Sequence, residues 1–219
     1  MFHLQNIQFS ADGQKILSID DVNLQKEKKV LLLGPSGSGK TTLMQIMAGL
    51  RHAQEGHVFF DVPDGKTIDL QNLQGNARDQ FRGQHFGFVF QNFHLLRHLS
   101  VIDNIQLAQL GAKLPINKDK AIELLEAVNL AGKAKQKTAN LSQGEAQRVA
   151  IARAVANDPR VIFADEPSSA LDNKNTEDII ELLESGANQS GAMLVVATHD
   201  HRIKERFKRV IQIDQGRIL

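Results

Sequence analysis

The stretch Leu33-Gly34-Pro35-Ser36-Gly37-Ser38-Gly39-Lys40-Thr41-Thr42 decides how this chain is read. An apolar run at residues 30–33 leads into it, as expected of a strand buried on both faces. Residues 41–48 then bring Leu43, Met44, Ile46 and Met47, a helix-like content. Strand, glycine loop and helix is the expected local order. The fixed positions Gly34-x-x-x-x-Gly39-Lys40-Thr41 match the phosphate-binding loop pattern. Phosphate oxygens must approach backbone N–H groups that side chains would shield, and Gly34, Gly37 and Gly39 leave that approach open. The helix start adds unpaired N–H groups and the positive end of its dipole. Lys40 is the point charge for the β- and γ-phosphates, and the Thr41 hydroxyl is a ligand for Mg²⁺. Pro35, Ser36, Ser38 and Thr42 complete a loop expected to hold a nucleoside triphosphate.

Residues 161–164 form a second apolar run, and it ends in Asp165-Glu166. A third lies at residues 192–197, with a helical pattern at residues 174–184 between them. Strands alternating with helices imply a parallel sheet with right-handed crossovers. Ligands bind at the carboxyl ends of such strands. Asp165 therefore suits a Mg²⁺ shell, and Glu166 suits a general base that polarises water. Asp12-Gly13, Asp64-Gly65 and Gln215-Gly216 are turn signals that predict antiparallel strands at the start, around residues 57–70, and at the end. From about residue 93 to 156 strand signals are few. Ser100-Val101-Ile102-Asp103 fits a capping box, and Asn117 is placed to cap a helix through Ile122, Leu125 and Val128. The expected fold is α/β: a P-loop NTPase core with a mainly parallel sheet, an N-terminal antiparallel β subdomain and an inserted helical subdomain.

Composition narrows the setting. A chain of 219 residues with 42% apolar and 23% charged content suits one sizeable core, or one core plus a small appended lobe. A net charge of +1 gives no basic field for nucleic acid, and none is expected as a partner. The absence of cysteine excludes disulfides and thiolate sites. Apolar runs fall far short of the ~20 residues of a membrane helix, so any work at a membrane is expected to go through a partner.

The most diagnostic stretch is "LSQGEAQR", residues 141–148. A serine and a glycine open a helix here, a second anion-binding start. With it the chain resembles the nucleotide-binding subunits of ATP-binding-cassette (ABC) transporters. "LSQGEAQR" is similar to their signature, and "VIFADEPSSALD" to their acidic strand and D-loop. Phe90-Gln91 resembles the Q-loop and Thr198-His199-Asp200 the H-loop. The motifs fall in family order over almost the whole chain. The resemblance implies a single ABC ATPase domain over residues 1–219. Residues 1–92 and 157–219 would be its nucleotide-binding core, and residues 93–156 its helical subdomain.

The resemblance also implies a mechanism. Two copies pair head to tail around two Mg-ATP, with Ser142 and Gly144 of one copy on the γ-phosphate bound by the other. Glu166 is then the general base, His199 steadies the γ-phosphate and water, Gln91 senses Mg²⁺ and water, and Asp172 meets the opposite copy. Separately encoded transmembrane permease subunits are the implied partners, at the cytoplasmic face of the inner membrane. The surroundings of Gln91 and "GEAQR" resemble the lipoprotein-releasing, macrolide-efflux and cell-division branch. Gln143 departs from the family's glycine, and Glu145 from its glutamine. Adenine is usually stacked by an aromatic ring in the N-terminal hairpin. With no Tyr or Trp present, Phe9 is the candidate; a shifted alignment puts Ala11 there, and Phe9 as a core residue is the other reading.

Other features are read more plainly. His94 and His98 stand four apart, but without the glutamate of a zinc-protease motif they are not read as a metal site. The resemblance instead implies that Phe93, His94 and Leu95 lie at the docking face for a membrane subunit, with core packing the other reading for the apolar residues. His201 and the basic residues 204–209 read as solvated surface. The rival functions are a soluble ABC ATPase of DNA repair or translation, a regulatory module without turnover, and a P-loop kinase. Such soluble relatives usually carry long coiled-coil insertions or two cassettes. A silent module would be expected to lack Glu166 or His199, and a kinase leaves the signature unexplained.

Overall fold

The structure, a computed structural model, describes residues 2–62, 64–168 and 172–219. It divides into two compact units, Met1–Arg78 with Val195–Leu219, and Asp79–Leu194.

The first unit opens with the hairpin of β1 (Phe2–Ala11) and β2 (Gln14–Asn23), antiparallel across the Asp12-Gly13 turn. Both turn residues take positive φ, 50° and 75°, as a tight hairpin turn demands. β1 changes phase midway. Phe2 and Leu4 are buried, then Ile7 and Phe9. Asn6 sits at φ 52° between them, and the pairing with β4 (Glu55–Asp61) shifts at the same place. This bulge returns the apolar side chains to one face after the slip. With β5 (Thr67–Asp69) these strands form a sheet of order β2-β1-β4-β5. The same unit holds β3 (Lys29–Leu33), α1 (Lys40–Met47), β9 (Arg209–Asp214) and β10 (Arg217–Ile218). Here the order is β10-β9-β3-β8, where β8 is Met193–Thr198, with β3 and β9 parallel.

The second unit carries β6 (Phe86–Val89) and β7 (Val161–Asp165), paired in parallel. Its helices are α3 (Val101–Gly111), α4 (Lys118–Ala127), α5 (Gln143–Val155) and α6 (Asn173–Ser190). Val101, Ile105, Leu125 and Val149 bury their side chains in one cluster. Full burial of each such side chain contributes about 1.5–3 kcal/mol. Ser100 and Asp103 form the expected capping box, and Asn117 caps α4. Helix α6 runs past the expected residue 184 to Ser190 and stops at the left-handed Gly191. Helix α2 (Gly75–His85) has no buried residue, so it lacks the apolar period that reveals a helix in sequence.

Helix α5 lies directly on β6. A Cβ at Gly87 would stand 2.0 Å from the Ala154 carbonyl oxygen. The helix begins at Ser142, which caps it in a reciprocal box. The Ser142 hydroxyl accepts from the Glu145 N–H, and the Glu145 carboxylate accepts from the Ser142 N–H at 3.0 Å. Lys133 donates to the same carboxylate at 2.5 Å. That hydrogen bond, with the Ser142 N–H, holds the Glu145 carboxyl down to about 2 from the usual 4.5.

Gly87→Ala should destabilise the protein by about 2–3 kcal/mol through overpacking, read as a lower urea midpoint at unchanged slope. Because folding lowers the Glu145 pKa, its contribution is complete above pH 4.5 and disappears as pH falls toward 2. Glu145→Gln should therefore melt below the unaltered protein at pH 7, with the gap closing through that window in circular-dichroism melts.

Candidate functional site

In the first unit the phosphate loop leaves β3 at Leu33. Gly34 N–H donates to the Thr198 carbonyl at 3.4 Å, which aligns the ends of β3 and β8. A Cβ at Gly34 would lie 2.0 Å from the Ile213 carbonyl oxygen, so only glycine lets the loop pass β9. Gly37 and Gly39 adopt φ 80° and 102°, a region that L side chains avoid. Gly39 is the N-cap of α1, and no side chain caps that helix start. A helix start without a side-chain cap keeps the positive end of its dipole open to an anion.

Lys40 is buried, 5% exposed, and its ammonium folds over the loop. It donates to the Gly34 carbonyl at 2.8 Å and the Pro35 carbonyl at 2.9 Å. Ser38 is 4% exposed, and its hydroxyl has no hydrogen-bond partner among the described residues. A buried orphan hydroxyl beside a buried ammonium fits a polyanion well, since each unpaired polar group costs about 1–3 kcal/mol. Pro35, Ser36 and Thr42 complete the loop and the first turn of α1, and Thr41 lies exposed in that turn. His199 follows β8 directly and is exposed. Asp200 fixes the chain beyond it by accepting from Arg202 at 2.6 Å and from the Arg202 backbone N–H at 3.0 Å.

Phe9 is 9% exposed, and the Arg51 guanidinium covers its ring at 5.0 Å from the centroid. The structure places Phe9 in the core, under a cation–π contact, with little ring face left for a base. Ala11 lies at the partly exposed end of β1.

In the second unit Asp165 ends β7 and is 7% exposed. Glu166 follows in a left-handed conformation, φ 47°. A non-glycine residue there carries backbone strain of about 1–2 kcal/mol, which the surrounding contacts must hold. Gln91 is exposed, two residues past β6. Parallel pairing of Val89 with Ala164 sets the ends of β6 and β7 side by side, so the loops of Gln91 and Glu166 leave neighbouring strand ends. Leu95 packs against the helical core, whereas His94 and Leu96 are exposed.

Helix α5 presents Ser142 at its N-cap and Gly144 in its first turn. A Cβ at Gly144 would meet nothing within 4 Å, and its φ is not left-handed. The fold therefore does not require glycine there; the missing side chain keeps the helix start open to close approach. Asp172 caps α6, accepting from the Asn175 N–H at 2.9 Å. The D-loop residues Ser169, Ala170 and Leu171 lie outside the described residues. Sequence reasoning passed over Gln147 and Arg153 of α5. Gln147 is 2% exposed and donates to the Pro167 carbonyl at 2.5 Å, just beyond Glu166. Arg153 donates to the carbonyls of Phe93 and His94. A polar side chain inside an apolar helical stripe was the available signal for Gln147. Among the described residues no group of three potential metal-ligating side chains gathers, and no helix is long and apolar enough to cross a membrane.

Comparison with known proteins agrees with this geometry. The family model described as "ABC transporter" matches residues 17–169. The macrolide export ATP-binding/permease protein MacB of Burkholderia lata is 38% identical over 215 residues, 96% of this chain and 30% of its own length. The chain thus spans about a third of that relative. The lipoprotein-releasing system ATP-binding protein LolD of Syntrophotalea carbinolica is 40% identical over 205 residues, 93% of this chain and 88% of its own. Among solved structures, the dimeric bacterial ABC transporter cassette MJ0796 superposes with a TM-score of 0.87 at 32% identity, covering 100% of this chain and 96% of that one. A dimeric post-hydrolysis state of the same cassette, bound to ADP and Pi, matches with the same score and identity. This chain belongs to the ABC transporter family, as one of its ATP-binding cassettes.

Proposed function

We propose that this chain binds and hydrolyses ATP, pairing with a second copy around two nucleotides to drive transmembrane permease subunits. The observation that carries this is the phosphate loop. Left-handed glycines, an uncapped helix start, a buried ammonium and an orphan hydroxyl occur together in nine residues. A triphosphate answers all four at once.

In this reading the loop from Gly34 to Thr42 cradles the phosphates, and Lys40 exchanges its two carbonyl partners for phosphate oxygens. Thr41, Asp165 and Gln91 would hold Mg²⁺, a hydroxyl and acid–amide set that suits a hard cation keeping part of its water shell. When bound, Mg²⁺ supplies positive charge to the β- and γ-phosphate oxygens. Glu166, strained at the end of β7, accepts the proton of the attacking water. His199 donates to the γ-phosphate and orients that water. Ser142 and Gly144 of the second copy complete the γ-phosphate contacts. The open space at Gly144, which the fold itself does not need, supports that role. Asp172 lies toward the other copy.

The division of labour follows the family order, with residues 93–156 as the helical part of one ATPase domain. The MacB and LolD relatives support a place in the branch that exports macrolides or releases lipoproteins. A location on the cytoplasmic face of the membrane goes with that reading.

Lys40→Ala should weaken ATP binding about 100-fold or more in calorimetry, because it removes charge-assisted contacts of about 3 kcal/mol; affinity within fivefold of the unaltered protein would reject the phosphate role. Glu166→Gln should bind Mg-ATP normally, lose about 10²–10⁴-fold in turnover and accumulate dimers in light scattering. Monomers alone under those conditions would exclude the paired arrangement.

A further inference from the structure

Helix α5 grips both loops that leave β6 and β7, and it does so through side chains aimed at backbone carbonyls. At the β7 side, the buried Gln147 amide donates to the Pro167 carbonyl at 2.5 Å, one residue after Glu166. At the β6 side, the two terminal nitrogens of Arg153 donate to the His94 carbonyl at 2.7 Å and the Phe93 carbonyl at 2.6 Å. These two residues lie two and three positions after Gln91.

The turn that Arg153 holds is one the chain would not adopt unaided. Phe93 and His94 take φ 55° and 48°, two successive left-handed residues without a glycine. That conformation is unfavourable for each of them. The turn closes with the Phe93 N–H on the Phe90 carbonyl at 2.9 Å and the His94 N–H on the Asn92 carbonyl at 2.6 Å. A column of rings supports the same turn. Phe163 stacks on Phe88 at 5.5 Å, Phe88 on Phe90 at 5.4 Å, and Phe90 on His94 at 4.8 Å. The column starts two residues before Asp165 and ends at the turn itself. Farther on, the buried Asn104 fixes the loop by accepting from the Leu96 N–H at 2.7 Å and donating to its carbonyl at 3.1 Å. Gln91 and Asn92 are thus a short exposed span between anchored points.

Arg153 suits the task by its shape. A planar fork can satisfy two carbonyls at once, which an ammonium cannot do in the same geometry. Burial lowers its pKa from the usual 12.5, yet no carboxylate is needed beside it, because two carbonyl oxygens accept its hydrogen bonds. Its position on the helix is set by Ala154, the next residue, whose carbonyl lies against Gly87 of β6. The helix therefore lies at a depth that leaves no room for a side chain at Gly87.

We propose that Arg153 and Gln147 are positioning residues for ATP hydrolysis: through them α5 sets where Gln91 and Glu166 stand. The inference rests on the proposed ATPase reading and adds a mechanical element to it. Neither side chain touches nucleotide. They act by holding the carbonyls of two loops at fixed distances from one helix, the same helix that opens with Ser142 and Gly144.

The test uses Arg153→Met, Arg153→Lys and Gln147→Met in the full chain. ATP affinity is measured by calorimetry, kcat and KM by phosphate release, and folding by thermal melts. The expected result for Arg153→Met and Gln147→Met is a kcat at least tenfold lower, with Kd and KM for ATP within threefold of the unaltered protein. Arg153→Lys should recover less than a third of the lost activity, because one ammonium cannot serve both carbonyls. A kcat within twofold of normal in both Met variants overturns the proposal. So does an Arg153→Lys protein as active as the unaltered one, or a loss of ATP affinity in step with kcat. If Arg153→Met fails to fold, Arg153→Lys and Gln147→Met decide by the same criteria. An unaltered protein that neither binds nor hydrolyses ATP overturns the ATPase reading itself, whereas active protein with insensitive variants overturns this inference alone.

Discussion

A buried ammonium held by backbone carbonyls of its own loop is the interaction on which the phosphate loop depends. Removing the Lys40 charge from water is unfavourable unless it is hydrogen-bonded, and the Gly34 and Pro35 carbonyls meet that need. They can do so only if the loop curls back over its own helix start. The curl requires left-handed glycines and a Gly34 without a side chain against β9. The loop is held from outside as well. The Ser38 carbonyl accepts from the Gly216 N–H at 3.0 Å, and the Gly216 carbonyl accepts from the Ser18 N–H at 2.8 Å. The β9–β10 turn thereby fastens the phosphate loop to the N-terminal hairpin.

In the second unit the corresponding constraint is the contact of α5 with β6 at Gly87. A helix backbone that close to a strand is fixed in depth. Its polar side chains then work as rulers. Gln147 reaches the loop beyond Glu166, and Arg153 the loop beyond Gln91. The capping box at Ser142 and Glu145 sets where the helix begins, which decides where the open Gly144 stands. One helix thus joins its Ser142-capped start to both loops by rigid geometry.

Much of this was legible in the sequence for local reasons. The Gly34-to-Thr41 spacing encodes a loop whose conformation is decided within eight residues. The capping box at Ser100 and the cap at Asn117 are likewise short-range, and both appear where the pattern places them. Helix α2 is not legible because none of its residues is fully buried, and so polar a helix has no apolar period to read. The length of α6 was underread because its last turns are mostly polar and its stop signal is a single Gly191. Phe9 could be read as core or as a base platform from its position in a hairpin. Arg51, 42 positions away, decides its surroundings by covering the ring.

What the sequence alone determined is the chemistry carried by contiguous stretches: the phosphate loop, the acidic pair after an apolar strand, and the Ser-capped helix start at residue 142. Spacing along the chain is enough there, because a few consecutive dihedrals and side chains build each feature. Tertiary structure decided the contacts between stretches far apart in sequence. Arg153 meets a carbonyl 59 positions earlier, Gln147 one 20 positions later, and Gly87 the backbone at Ala154. Those partners become neighbours only when parallel strands and a packed helix bring them together, and no local pattern records which distant carbonyl a side chain will find.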